Sequence, residues 1–119
     1  MPDNCTLVSD LREAMRRFVE ERSWNQYHSP KNLAMALSVE AAELMEHFLW
    51  MSLEESRQQL KDPRRLEQVC DEIADVFGLC LAFCNSLDLE LSDVFLRKMS
   101  KNVLKYPVEK IRGHYRLED

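Results

Sequence analysis

Two pairs of carboxylates carry the chemistry available to this 119-residue sequence. Glu40 and Glu43 stand three residues apart in the segment Leu33–Trp50, and Glu72 and Asp75 repeat that spacing in a second strongly apolar segment. At about 100° per residue, positions three apart on a helix share a face. In the first segment Leu33, Leu37, Ala41, Leu44 and Phe48 form an apolar stripe, with Glu40 on its edge and Glu43 one step further round. Two helices thus each offer two carboxylates close to a core. Four clustered anions repel one another, and burying them is costly unless a cation neutralises them. Oxygen donors with no cysteine or paired histidine suit Mg²⁺, with Mn²⁺ as a substitute. A single acidic pair is most often a solvated helix face, and Glu54, Glu55 and Glu67 read that way. Two matching pairs in flanks this apolar favour a metal site.

The elements that must position these groups are helical. The composition is 45% hydrophobic and 31% charged, with two glycines and four prolines. Few turn residues and no alternating Val/Ile/Thr run predict an all-α fold, a four- to five-helix bundle. The expected organisation is a single domain over residues 1–119, with a core at about 7–106 and a charged tail at 107–119. No basic-then-apolar leader and no apolar run of membrane length is present, so the expected location is cytoplasmic with no membrane partner. A net charge of −5 argues against a surface that tracks nucleic-acid backbone. The four cysteines contain no C-x-x-C; Cys70, Cys80 and Cys84 fall on one helix and read as small core residues, and a disulfide framework is not expected. His28, His47 and His114 are scattered, with neither H-E-x-x-H nor Glu-x-x-His among them.

A first helix is expected over about Thr6–Arg22, followed by a break at Ser23–Pro30 in which Trp24 either lids the core or stacks on a ligand ring. Ser29 and Pro30 form an N-cap and first-position pair for the carboxylate helix. Ser52 and Glu55 form a capping box for a short helix, and Asp62 and Pro63 open a long one through about Ser86. The second half of that long helix is apolar nearly all round, from Val76 to Cys84, and requires neighbours on every side. A homo-oligomer, a homotetramer built as a dimer of dimers or a homodimer, supplies them. Ser92 or Asp93 opens the last helix and Pro107 closes it. Along it Lys98, Asn102 and Tyr106 fall at i, i+4 and i+8, either as a solvated flank or as a stripe reaching a phosphate, base edge or sugar.

The segments S-V-E-A-A-E-L at Ser38–Leu44 and D-E-I-A-D-V at Asp71–Val76, with an intact K-x-x-x-N-x-x-x-Y-P at Lys98–Pro107, are together specific. They resemble the MazG-like all-α nucleoside triphosphate pyrophosphohydrolases, closest to the small single-domain branch that includes the dCTP pyrophosphatases. The resemblance runs from about Leu7 to Gly113. It implies that Glu40, Glu43, Glu72 and Asp75 hold Mg²⁺ and that Trp24 and Trp50 enclose the base. It further implies that Lys31, Lys98, Asn102 and Tyr106 line the phosphate and sugar end, and that Glu40 or Glu43 acts as base. The implied reaction converts a nucleoside triphosphate, dCTP or a related deoxynucleotide, to the monophosphate and pyrophosphate. Two alternatives stand beside it: a helical interaction or regulatory module without catalysis, and a pyrophosphohydrolase of another phosphoanhydride such as phosphoribosyl-ATP.

Overall fold

The computed structural model describes residues 1–115. Among these the chain forms six α-helices, with no strand: α1 Val8–Glu21, α2 Pro30–Glu46, α3 Leu53–Gln58, α4 Pro63–Leu87, α5 Leu91–Lys105 and α6 Val108–Ile111. Short 3-10 turns occupy Asp3–Cys5, Asn25–Tyr27 and Gln59–Lys61. The backbone groups into two compact units, Met1–Asp88 and Leu89–Asp119. No helix of the described residues is long and apolar enough to cross a membrane.

In the first unit the helix starts are local chemistry. Ser29 Oγ accepts from the Asn32 N–H at 3.2 Å, and Pro30 takes the first helical position, where its missing N–H costs nothing. Ser52 and Glu55 exchange the reciprocal bonds of a capping box at 3.1 and 3.3 Å. Asp62 accepts from the Arg64 N–H at 3.0 Å and Pro63 follows. α4 stops where Asp88 turns left-handed at φ 54°.

α2 and α1 both pack on α4, and the core is Val19, Leu33, Val69, Leu81, Ala82 and Cys84. Arg12 is buried with them on α1. Its Nε donates to Asn85 Oδ1 at 3.0 Å, while Asn85 Nδ2 donates to the Arg12 carbonyl at 3.0 Å. This reciprocal pair fixes α1 to α4 and satisfies polar groups that would otherwise be expensive to bury.

Two expectations change. α2 ends at Glu46 rather than continuing to Trp50, because the next amides tighten to i−3 bonds: Phe48 N–H to the Met45 carbonyl at 2.9 Å and Leu49 N–H to Glu46 at 3.4 Å. Trp50 then takes φ 62° and is 97% exposed. The expected stripe of α2 faces inward at Leu33, which is buried, and at Leu37, Leu44 and Phe48, which are partly buried with Glu40 and Glu43; Ala41 alone of the stripe is exposed. All four cysteines are free, as expected; of the three on α4, Cys84 is buried and Cys80 partly buried, but Cys70 is exposed rather than in the core.

The second unit holds α5 and α6. α5 opens after Glu90 and ends at Lys105, before Pro107 as expected. Pro107 then caps the single turn of α6, so the charged tail begins with helix. The tail residues 116–119 lie outside the described residues.

Candidate metal and nucleotide site

The packing of α2 against α4 turns the two acidic pairs toward one another. Carboxylate oxygens of Glu40, Glu43 and Glu72 lie within 4.8 Å of one another, and all three residues are partly buried. Asp75 stands outside that trio but close enough for its charge to act on Glu40. Glu40 Oε2 and Glu72 Oε2 are buried with no hydrogen-bond partner. Buried acceptors are normally satisfied, and ionised ones are rarely left bare.

The electrostatic result is visible at Glu40, whose carboxyl is raised from 4.5 to about 7. Burial is the largest cause, followed by its hydrogen bond with Glu43 and the negative charges of Glu43, Asp75 and Glu72. One proton shared inside the cluster relieves part of the repulsion; a cation would relieve more. An oxygen-rich donor set with two unpartnered buried oxygens fits a hard divalent ion.

One neighbour escaped the sequence reading. His47 Nε2 stands 3.7 Å from Glu72 Oε1, and Gln59 Nε2 holds the His47 carbonyl at 3.0 Å. The signal was present in the spacing, since His47 is four residues beyond Glu43 and so one turn along the same face.

Beside the carboxylates lies a cleft of about 430 Å³. α1 lines it with Met15 and Phe18, the loop after α1 with Trp24 and His28, α2 with Ala36 and Glu40, and α4 with Ala74, Asp75, Gly78 and Leu79. Trp24 meets Phe18 edge-on, with ring centres 5.6 Å apart and planes at 80°. Arg22 sits 3.9 Å over the other ring of that pair, Phe18, fixing its position. The cleft is therefore aromatic and apolar over most of its lining, with Glu40, Asp75 and His28 as its polar members.

Of the remaining expected site residues, Lys31 is exposed in the first turn of α2 and Trp50 is exposed after it; neither lines the cleft. Lys98, Asn102 and Tyr106 belong to the second unit, where they follow one another along α5 and its C-cap. Asn102 is partly buried and its carbonyl accepts the Tyr106 N–H at 2.8 Å; the Tyr106 ring lies 5.3 Å from Lys105 Nζ.

A family model described as MazG-like matches residues 35–115, which takes in both acidic pairs and α5. A bovine protein, dCTP pyrophosphatase 1 of Bos taurus, is 35% identical over 106 residues, covering 89% of this chain and 63% of its own length. Its counterpart in Homo sapiens is 33% identical over 109 residues, covering 92% of this chain and 64% of its own length. The chain thus spans a little under two thirds of these curated relatives. Among solved structures, a pyrophosphatase from Archaeoglobus fulgidus superposes with a TM-score of 0.78 at 40% identity, over 84% of this chain and 92% of that one.

Proposed function

This chain belongs to the MazG-like family, and we propose that it is a Mg²⁺-dependent pyrophosphohydrolase that converts a deoxynucleoside triphosphate, dCTP or a close analogue, to the monophosphate and pyrophosphate. The observation that carries the proposal is the oxygen cluster of Glu40, Glu43 and Glu72, with unpartnered buried oxygens, opening beside an aromatic cleft. The names of the bovine and human relatives and of the archaeal structure support the reaction class.

Glu40, Glu43, Glu72 and Asp75 would hold the ion, with Mn²⁺ able to replace Mg²⁺. An ion held there would supply charge to screen the triphosphate oxygens and to acidify a water. The remaining work falls to the chain. Glu40 or Glu43 takes the proton of the water that attacks phosphorus. Trp24 offers a ring for the base in the cleft. Trp50 is held at φ 62° while almost wholly exposed, a strained placement that serves no packing and that we assign to closing on the base. Lys31 is assigned to the leaving phosphates, where its charge offsets what develops on pyrophosphate. For Lys98, Asn102 and Tyr106 the assignment to phosphate and sugar rests on the K-x-x-x-N-x-x-x-Y-P motif.

The family match runs through both backbone units, which supports reading them as one domain. Leu66, Ile73 and Phe77 form an exposed apolar stripe on α4, and Met35 and Val39 another on α2. Apolar patches of this kind are normally covered, and we assign them to subunit contacts in a dimer or dimer of dimers. A cytoplasmic nucleotide-pool role agrees with this reading.

Purified protein incubated with each nucleoside triphosphate and Mg²⁺ tests the function. Pyrophosphate with a monophosphate is the expected product pair, fastest from dCTP. Orthophosphate instead would overturn the reaction, and a purine triphosphate turned over about tenfold better would overturn the substrate.

A further inference from the structure

The chain has two glycines, and they differ in what the backbone asks of them. Gly113 follows α6 at φ 82°, where side chains are rarely accommodated. Gly78 lies inside the 25-residue helix α4 with ordinary helical geometry, where glycine weakens a helix relative to alanine. Packing does not require it either. A Cβ placed on Gly78 would meet Met15 Sδ at 4.0 Å, an ordinary contact with the end of a flexible side chain.

What Gly78 does is line the cleft. It sits one turn beyond Asp75, about 4.5 Å further along the helix axis, in a lining that also holds Met15, Phe18, Trp24 and Leu79. A ligand whose charged groups are held at the carboxylates would place its other end here. Apart from Glu40, Asp75 and His28 the lining is apolar or aromatic, and Trp24 keeps 43% of its surface open for a flat ring to stack on.

We propose that Gly78 is a specificity-determining position: its missing side chain leaves room on α4 for the heteroaromatic base of the nucleotide and sets the size of base that the cleft accepts. The inference rests on the proposed nucleotide reaction and adds to it the residue that limits the base. A helix that forgoes alanine here gives up stability for open space, and the space adjoins an aromatic ring.

The test compares wild type with Gly78→Ala and Gly78→Leu, titrating dCMP and, separately, pyrophosphate in the presence of Mg²⁺, alongside melting and light scattering. Gly78→Ala should melt higher than wild type, which shows that the fold does not need the glycine. Gly78→Leu should bind dCMP at least about tenfold more weakly, the scale of a filled subsite, with unchanged pyrophosphate affinity and unchanged mass. Turnover of dCTP by wild type with undiminished dCMP binding by Gly78→Leu would overturn the inference and leave the proposed function standing. Equal weakening for pyrophosphate would place the effect at the carboxylates, and a changed mass would place it in subunit packing; either result overturns the inference. If wild type hydrolyses no nucleoside triphosphate, the proposed function falls and this inference falls with it.

Discussion

Along α4, the face turned to α2 carries Glu72 and Asp75, whereas the face carrying Leu66, Ile73 and Phe77 lies open. Glu72 is partly buried where a helix of a small domain normally places leucine, Asp75 beside it is exposed, and apolar side chains sit where the helix normally meets water. Each inversion costs stability in the isolated chain. Unpartnered carboxylate oxygens repel one another in the interior, and Ile73 and Phe77 leave 53% and 41% of their surface to solvent. The two faces teach different lessons because the costs have different remedies: a cation on the inner face, another apolar surface on the outer one.

The largest effect should come from the inner face. Glu43→Gln or Glu72→Gln removes a charge from the proposed metal site while keeping the side-chain volume, and turnover should fall by about a hundredfold or more, equivalent to about 3 kcal/mol of transition-state stabilisation. The same substitutions should leave the metal-free melting temperature unchanged or raise it, since one member of a repelling cluster is gone. Steady-state kinetics and metal-free melting on the same samples separate the two consequences. Near-normal turnover by both variants would break the assignment of this face to catalysis.

The outer face should respond in mass rather than in chemistry. Ile73→Lys or Phe77→Lys places a charge in a contact that the proposed oligomer buries, and the light-scattering mass should drop toward that of one chain. Helical circular dichroism should change little, because both positions are open to solvent within the chain. A wild-type protein that scatters as a stable folded monomer would remove the need for a second surface and would leave the outer face unexplained.

How much of this was legible in the sequence follows the range of the forces. Helix starts at Ser29–Pro30, Ser52–Glu55 and Asp62–Pro63 were readable because a cap is a bond between residues two or three apart. The acidic pairs were readable because their spacing and apolar flanks are local too. The end of α2 was not: His47–Phe48–Leu49–Trp50 continues an apolar pattern, and only the tightened amides and the left-handed Trp50 end the helix. The exposure of Ala41 was equally hidden, since i+3 and i+4 spacings both extend a stripe from Leu37. The cleft lining depends on α1 crossing to α4, a long-range contact that no single segment records.

The smallest expected effect concerns pH and sharpens the account of the inner face. Glu40 titrates near 4.5 in the unfolded chain and is raised to about 7 in the fold, so the folded state holds this proton more tightly. Stability from it is fully present below the unfolded value and is lost as pH rises through the folded one. Four groups face this carboxyl or its neighbours: Glu43 on the same helix, Glu72 and Asp75 on α4, and His47, which meets Glu72 at 3.7 Å. The three acids push in one direction. Metal-free protein should therefore melt lower at about pH 8 than at about pH 5, by on the order of 5 °C for a domain of this size. Saturating Mg²⁺ should cancel most of that slope, because a bound cation replaces the proton as the neutralising charge. Glu40→Gln should flatten the metal-free slope, while Glu54→Gln, on the solvated α3, should leave it as in wild type. A metal-free melting temperature that rises steadily between those two pH values would contradict a strained, proton-holding cluster on the inner face of α4.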